Sequence, residues 1–234
     1  MICSAIICML FKQACFWGRL MDKKRIIGFY NYTVVLTYIG MLFAFTGIMD
    51  AIRQNYIGSV ICLMCSGICD MFDGAIASTK ERNRFEKHFG IEIDSLCDLV
   101  SFGVLPAIFV FMIAGQSTVA GFIGAAYVLC ALIRLAYYNV QELERQKTTE
   151  EAREYYLGVP VTTIAILLPL LYLIKDRFQL TDVFGYLALM IVVTIGFISG
   201  VEIRKPKMIG KIVMLVIGLV EFFELFLLAG ADYL

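Results

Sequence analysis

The chain has 234 residues, 60% of them hydrophobic and 17% charged, with a mean hydropathy of +0.82. Water-soluble domains carry about 25% charged residues, so this composition excludes one. A formal net charge of zero gives no basis for binding nucleic acid. The expected fold class is an all-α polytopic membrane protein.

In chain order, Met1 to Leu20 is apolar with scattered polar residues. It lacks the charged start and small-residue cleavage site of a signal peptide. "MDKKRIIGFY" at Met21 is the more natural beginning, which makes residues 1–27 an N-terminal, cytoplasmic extension. Apolar runs long enough to cross a bilayer as helices then recur at 30–50, 56–77, 94–114, 118–138, 157–174, 182–200 and 209–230. Short polar links join them, with no internal repeat and no low-complexity tract.

Orientation follows from the basic residues. Arg19, Lys23, Lys24 and Arg25 fall on the same side as Lys80, Arg82, Arg84 and Lys87. Arg145, Lys147 and Arg153, and then Arg204, Lys205, Lys207 and Lys211, fall on that side too, against Arg53, Lys175 and Arg177 on the other. The N-terminal side and the 78–93 link are therefore expected in the cytoplasm, and seven spans leave the C-terminus outside. Cys62, Cys65 and Cys69 share one helical face. A zinc site needs further ligands, and the single histidine, His88, lies in a charged loop and reads as solvated. Small helix-packing residues are the better reading.

Between the second and third apolar runs stands "CDMFDGAIASTKERNRFEKHFGIEIDSLCD", Cys69 to Asp98. Asp70, Asp73 and Ala77 share one face of a helix end, and Asp94 and Asp98 share one face at the start of the next. If the two helices pack together, four carboxylates meet just inside the membrane surface, where acids mark function by default. Salt bridges to Lys80, Arg82, Arg84 or Lys87 would neutralise them, as would protonation in an ion-coupled transporter, or a divalent cation. Oxygen-only ligands suit Mg²⁺ or Mn²⁺ completed by a substrate phosphate. Gly74 favours that last reading, because a residue without a side chain lets a phosphate approach the backbone.

Written as a pattern, Asp70, Asp73, Gly74, Ala77, Gly90, Asp94 and Asp98 give D-x-x-D-G-x-x-A…G-x-x-x-D-x-x-x-D. This closely resembles the signature of the CDP-alcohol phosphotransferases, membrane enzymes that move a phosphatidyl or similar group from a CDP-linked lipid to an alcohol and release CMP. "FGIEIDSLCDLVSFGVLPA", "RLAYYN" and "YYLGVPVTT" resemble the bacterial branch of that family whose acceptor is serine. The resemblance covers about residues 28–207, the expected six-helix catalytic domain, and leaves 208–234 as an added transmembrane helix.

The resemblance implies CDP-diacylglycerol and L-serine as substrates, Mg²⁺ or Mn²⁺ as cofactor, and a homodimer in the lipid bilayer of the inner membrane with its active site facing the cytoplasm. It implies Asp70, Asp73 and Asp94 as metal ligands. Asp98 becomes the general base, also touching metal, while Gly74, Ala77 and Thr37 line the nucleotide pocket. Arg134 and Asn139 are candidates for the serine carboxylate or a donor phosphate, with snorkelling the alternative for Arg134. Gly158–Val159–Pro160 reads as a helix entry. The family usually has an arginine directly after the alanine; here that place is Ser78, and the gap from Ala77 to Gly90 is longer than the family's commonest. Lys80, Arg82 or Arg84 would then have to reach the diphosphate. Glycerol 3-phosphate or inositol phosphate as acceptor, or a member weakened at Ser78, are the alternatives.

Overall fold

The computed structural model describes residues 28–80, 82–148, 155–180, 182–204 and 208–231. The N-terminal extension and its Met21 start lie outside the described residues. Asn31 caps a 3-10 turn, Tyr32–Val34, by accepting from the Thr33 amide at 3.1 Å. That turn leads into α1 (Val35–Ile52), and Asn55 caps α2 (Tyr56–Ala77) by accepting from Gly58 N. Then come α3 (Arg84–Asp98), a π turn (Leu99–Val104), α4 (Leu105–Ile113) and α5 (Thr118–Thr148). β1 (Tyr155–Leu157), α6 (Ile164–Arg177), α7 (Phe184–Ile198), β2 (Glu202–Arg204) and α8 (Met208–Ala231) complete the order.

The fold is helical, as composition predicts. Among the described residues, four stretches, Tyr32–Ile52, Tyr56–Ala77, Arg84–Ile113 and Thr118–Arg145, are long and apolar enough to cross a membrane, and Phe184–Ile198 is a shorter apolar helix. Large exposed hydrophobics such as Phe122, Phe184, Phe223 and Phe226 would be an aggregation hazard in water. In a bilayer they form the lipid-facing surface.

Three details differ from the hydropathy reading. The third span does not begin at 94: helix starts at Arg84 and runs through the π turn to Ile113. Asn83 and Glu86 form a capping box there, with Glu86 N donating to Asn83 Oδ1 at 2.8 Å and Asn83 N to Glu86 Oε2 at 3.0 Å. The fourth helix likewise continues past 138 to Thr148. Finally, β1 and β2 pair antiparallel, with Tyr155 opposite Arg204 and Leu157 opposite Glu202. Gly158 closes this ribbon onto α7 at φ +68°, where a side chain would meet Gly196 O at 2.6 Å.

Packing of α1 on α2 is what positions the site. Along α1, Gly40, Ala44, Gly47 and Ala51 form a stripe of small residues, and both alanines are fully buried. Small residues let membrane helices approach closely where water supplies no hydrophobic drive between them. A Cβ on Gly40 would lie 3.2 Å from Cys69 Cβ, and one on Gly47 would lie 2.9 Å from Cys62 Cβ and 3.1 Å from Leu105 Cδ2. Cys62 and Cys69 thus fill the α1 stripe as packing residues. The core continues through Phe102, Phe109, Tyr127, Ile164, Leu168 and Met190, and α8 rests on α2 and α6.

Gly47→Val forces β-branched bulk onto Cys62 and Leu105. Overpacking of this kind costs about 1–3 kcal/mol, so the variant should melt at lower temperature in detergent. An unchanged melting temperature would show that the α1–α2 contact is looser than its geometry.

Candidate active site

Two helical spacings assemble the site. On α2, Asp70 and Asp73 stand one turn apart at the end facing the link; on α3, Asp94 and Asp98 stand one turn apart and face them. Carboxylate oxygens of Asp70, Asp73 and Asp94 all lie within 4.8 Å of one another. Asp98 completes the group, with its carboxyl against that of Asp70, as the carboxyl of Asp94 is against that of Asp73. Asp73 is buried and accepts a hydrogen bond from the Thr37 hydroxyl at 3.1 Å, which ties α1 to the cluster. Asp94 Oδ1 is buried without a hydrogen-bond partner. An orphaned carboxylate oxygen among three other acids, with an all-oxygen donor set, fits a hard divalent cation.

Above the acids opens a cavity of about 1140 Å³, lined on one side by Thr33, Val34, Thr37, Asp73, Gly74 and Ala77. Arg82, Arg84, Lys87, His88, Gly90, Ile91 and Asp94 line the other, with Leu143 and Arg145 from the C-terminal extension of α5. Nothing lies within 4 Å of where a Gly74 side chain would stand, so its backbone is open to a ligand. A floor that can hold a cation and a wall of cations suit a ligand carrying phosphate.

The π turn begins directly after Asp98, and its wider turn sets how α3 meets α4. Pro106 has no N–H for the carbonyl of Phe102, four residues back. The buried Tyr127 hydroxyl donates to that carbonyl at 2.7 Å, and Ser66 on α2 donates to Ser101 at 2.8 Å. Ser101, Phe102, Gly103 and Pro106 stand out in the sequence only by resemblance. In the fold they lock α3 against α2 and α5 just beyond the last acid.

The structure brings Thr37, Asp73, Gly74, Ala77 and Asp94 to the cavity, with Asp70 and Asp98 one turn behind. Three other candidates stand elsewhere. Ser78 is exposed, its hydroxyl donates to Ala75 O at 2.6 Å, and it lines a smaller cavity of about 570 Å³ that shares Ala77, Arg82 and Lys87 with the first. Arg134 is buried and donates to the Leu157 carbonyl at 2.6 Å and to Phe197 O at 3.4 Å, with Tyr138 beneath its guanidinium. It ties β1 and the Gly158 loop to α5 and α7. Asn139 accepts from Ser95 at 2.7 Å and reaches Glu92 at 3.4 Å, bridging α5 to α3. Each of the three makes hydrogen bonds within the protein, and none of them lines the large cavity.

Of the cavity residues on α3, the sequence reading named Arg84, Lys87 and Asp94 but passed over Ile91. Arg84, Lys87, Ile91 and Asp94 repeat at helical spacing on one face, a signal hidden by treating 78–93 as a link. His88, read as solvated, is half-buried in the cavity wall.

In this helical membrane protein, buried and half-buried acids that could hold a metal lie beneath a cation-lined cavity, an arrangement that suits a phosphate-bearing ligand. The chain belongs to the CDP-alcohol phosphatidyltransferase family, whose sequence model matches residues 30–197; that family is metal-dependent. It is 34% identical over 150 residues to the CDP-diacylglycerol–serine O-phosphatidyltransferase of Saccharomyces cerevisiae, covering 59% of this chain and 53% of the yeast protein. It is 26% identical over 193 residues to archaetidylserine synthase of Methanothermobacter thermautotrophicus, covering 82% and 77%. To the CDP-diacylglycerol–serine O-phosphatidyltransferase of Helicobacter pylori it is 26% identical over 195 residues, covering 80% and 76%. The matches thus span about half of the yeast relative and about three quarters of the other two. No solved structure matches the chain.

Because Tyr127 supplies the donor that Pro106 lacks, Tyr127→Phe should leave the buried Phe102 carbonyl unanswered and cost about 1–3 kcal/mol. Thermal unfolding in detergent measures this, and a loss below about 0.5 kcal/mol, smaller than a typical net hydrogen bond, would show that a bond within the π turn already suffices.

Proposed function

We propose that the protein transfers the phosphatidyl group of CDP-diacylglycerol to the hydroxyl of L-serine, giving a phosphatidylserine lipid and CMP. The observation that carries this reading is the four-acid cluster spanning α2 and α3 beneath the cation-lined cavity, in a chain of this family. The serine-named relatives support the choice of acceptor. Asp70, Asp73 and Asp94 would hold Mg²⁺ or Mn²⁺. When bound, the cation supplies positive charge against the diphosphate and the departing CMP.

The remaining roles belong to the chain's own side chains. Thr37 holds Asp73 in place through its hydroxyl, and Gly74 and Ala77 leave room for the nucleotide against α2. Asp98, behind the metal-binding three, accepts the serine hydroxyl proton as that oxygen attacks the phosphorus bearing diacylglycerol. A new P–O bond forms to serine, the anhydride P–O bond breaks, and CMP leaves with the electron pair. The basic residues around the link support a cavity mouth on the cytoplasmic side by the positive-inside rule, and the family resemblance supports the inner membrane. Family resemblance supports a homodimer as the working unit.

The test is CMP release by the purified full chain from CDP-diacylglycerol, with and without serine, in Mn²⁺, Mg²⁺ or chelator. Release should require both serine and metal, and Asp98→Asn should lower kcat by about 10²–10⁴-fold, the range for loss of a general base. Release with glycerol 3-phosphate or inositol phosphate but not serine would replace the acceptor. No release with any acceptor would overturn the assignment as an enzyme.

A further inference from the structure

The cations around the cavity are not equivalent. Arg145 is held by Glu142 at 2.6 Å, and Lys80 lies 3.9 Å from Glu86. Arg84 and Lys87 are exposed to solvent. Arg82 is different. It is half-buried, it lines both the large cavity and the smaller one beside Ser78, and its Nε is buried without a hydrogen-bond partner. A Cβ built on Gly90 would lie 2.9 Å from Arg82 Nη1, so the guanidinium rests against the bare backbone of α3. Gly90 is about one helical turn before Asp94, about 6 Å along the axis.

We infer that Arg82, seated on Gly90, grips the diphosphate of the donor nucleotide, and that Gly90 is side-chain-free to make that seat. This rests on the site reading given under Proposed function. A buried guanidinium N–H with no acceptor is a defect unless a ligand supplies an anionic oxygen. A ligand that reaches from a cation held by Asp73 and Asp94 to Arg82 needs negative charge at two points one helical turn apart, as a diphosphate has. Arginine's planar fork suits two phosphate oxygens at once, which a lysine's point charge does not. Ser78 carries no charge, and its hydroxyl is engaged with Ala75 O. The cation therefore comes from farther along the link, and the long Ala77–Gly90 connection is what lets it fold back onto α3.

The experiment is equilibrium binding of CDP, in the presence of Mn²⁺, to the purified full chain and its variants, alongside KM values for CDP-diacylglycerol and for serine. Arg82→Ala should weaken CDP binding by about tenfold or more, as expected for losing a charge-assisted bidentate contact, and raise KM for CDP-diacylglycerol while leaving KM for serine within about twofold. Arg82→Lys should recover only part of the loss. Gly90→Ala should fold, because the clash is with the far end of a flexible side chain, and should weaken CDP binding by displacing that side chain. Combined with Arg82→Ala it should add nothing further, the signature of two residues acting through one contact. Wild-type binding of CDP in both Arg82→Ala and Gly90→Ala would overturn the inference while leaving the site reading intact. Absence of Mn²⁺-dependent CDP binding in the wild type would overturn both.

Discussion

Four carboxylates facing one another across α2 and α3 are the constraint on which the structure depends. Two unit charges 4 Å apart repel by about 4 kcal/mol at an effective dielectric constant of 20, and this cluster holds several such pairs within one turn of helix. Packing alone does not offset that. The nearby cations do not offset it either: Lys80 lies by Glu86 and Arg145 by Glu142, and Asp94 Oδ1 is left with no partner. A divalent cation held among the acids would supply the charge that offsets their repulsion.

The surrounding structure keeps the two acid-bearing helices at the right separation. On one side, the Gly40–Ala51 stripe draws α1 onto α2, and Thr37 extends that contact to Asp73. On the other, the π turn after Asp98 is fastened by Ser66 and by Tyr127, which stacks on Phe197 of α7 with ring centroids 5.1 Å apart. Arg134 and Tyr138 hold the β1–β2 ribbon to the end of α5, and Asn139 holds α5 to α3 near Ser95. Helix-end tethers of this kind keep the cavity wall from splaying without contributing a group to the cavity itself.

Much of the site was legible in sequence because it is written in local spacing. The i, i+3 and i, i+4 acids, Gly74 and Ala77 declare their faces without reference to anything distant. What sequence hid depends on partners or on masking by charge. "KERNRFEKH" reads as a polar loop to any hydropathy window, yet Asn83 and Glu86 spell a capping box, so the helical face of Arg84, Lys87 and Ile91 was available in principle. Arg134 looked like a ligand because an arginine in an apolar run needs a partner. It donates to the backbone carbonyls of Leu157 and Phe197, far along the chain, contacts that no local pattern reveals. The π turn and the ribbon are invisible for the same reason.

The most direct measurement is the thermal unfolding midpoint of the purified chain and of Asp94→Asn, each in chelator and in Mn²⁺. If a cation holds the cluster, Mn²⁺ raises the wild-type midpoint by binding only the folded state. Asp94→Asn, relieved of one repelling charge, equals or exceeds the wild type in chelator and gains little from Mn²⁺. A wild type indifferent to both Mn²⁺ and Mg²⁺, or an Asp94→Asn variant stabilised by Mn²⁺ as strongly as the wild type, would contradict the account.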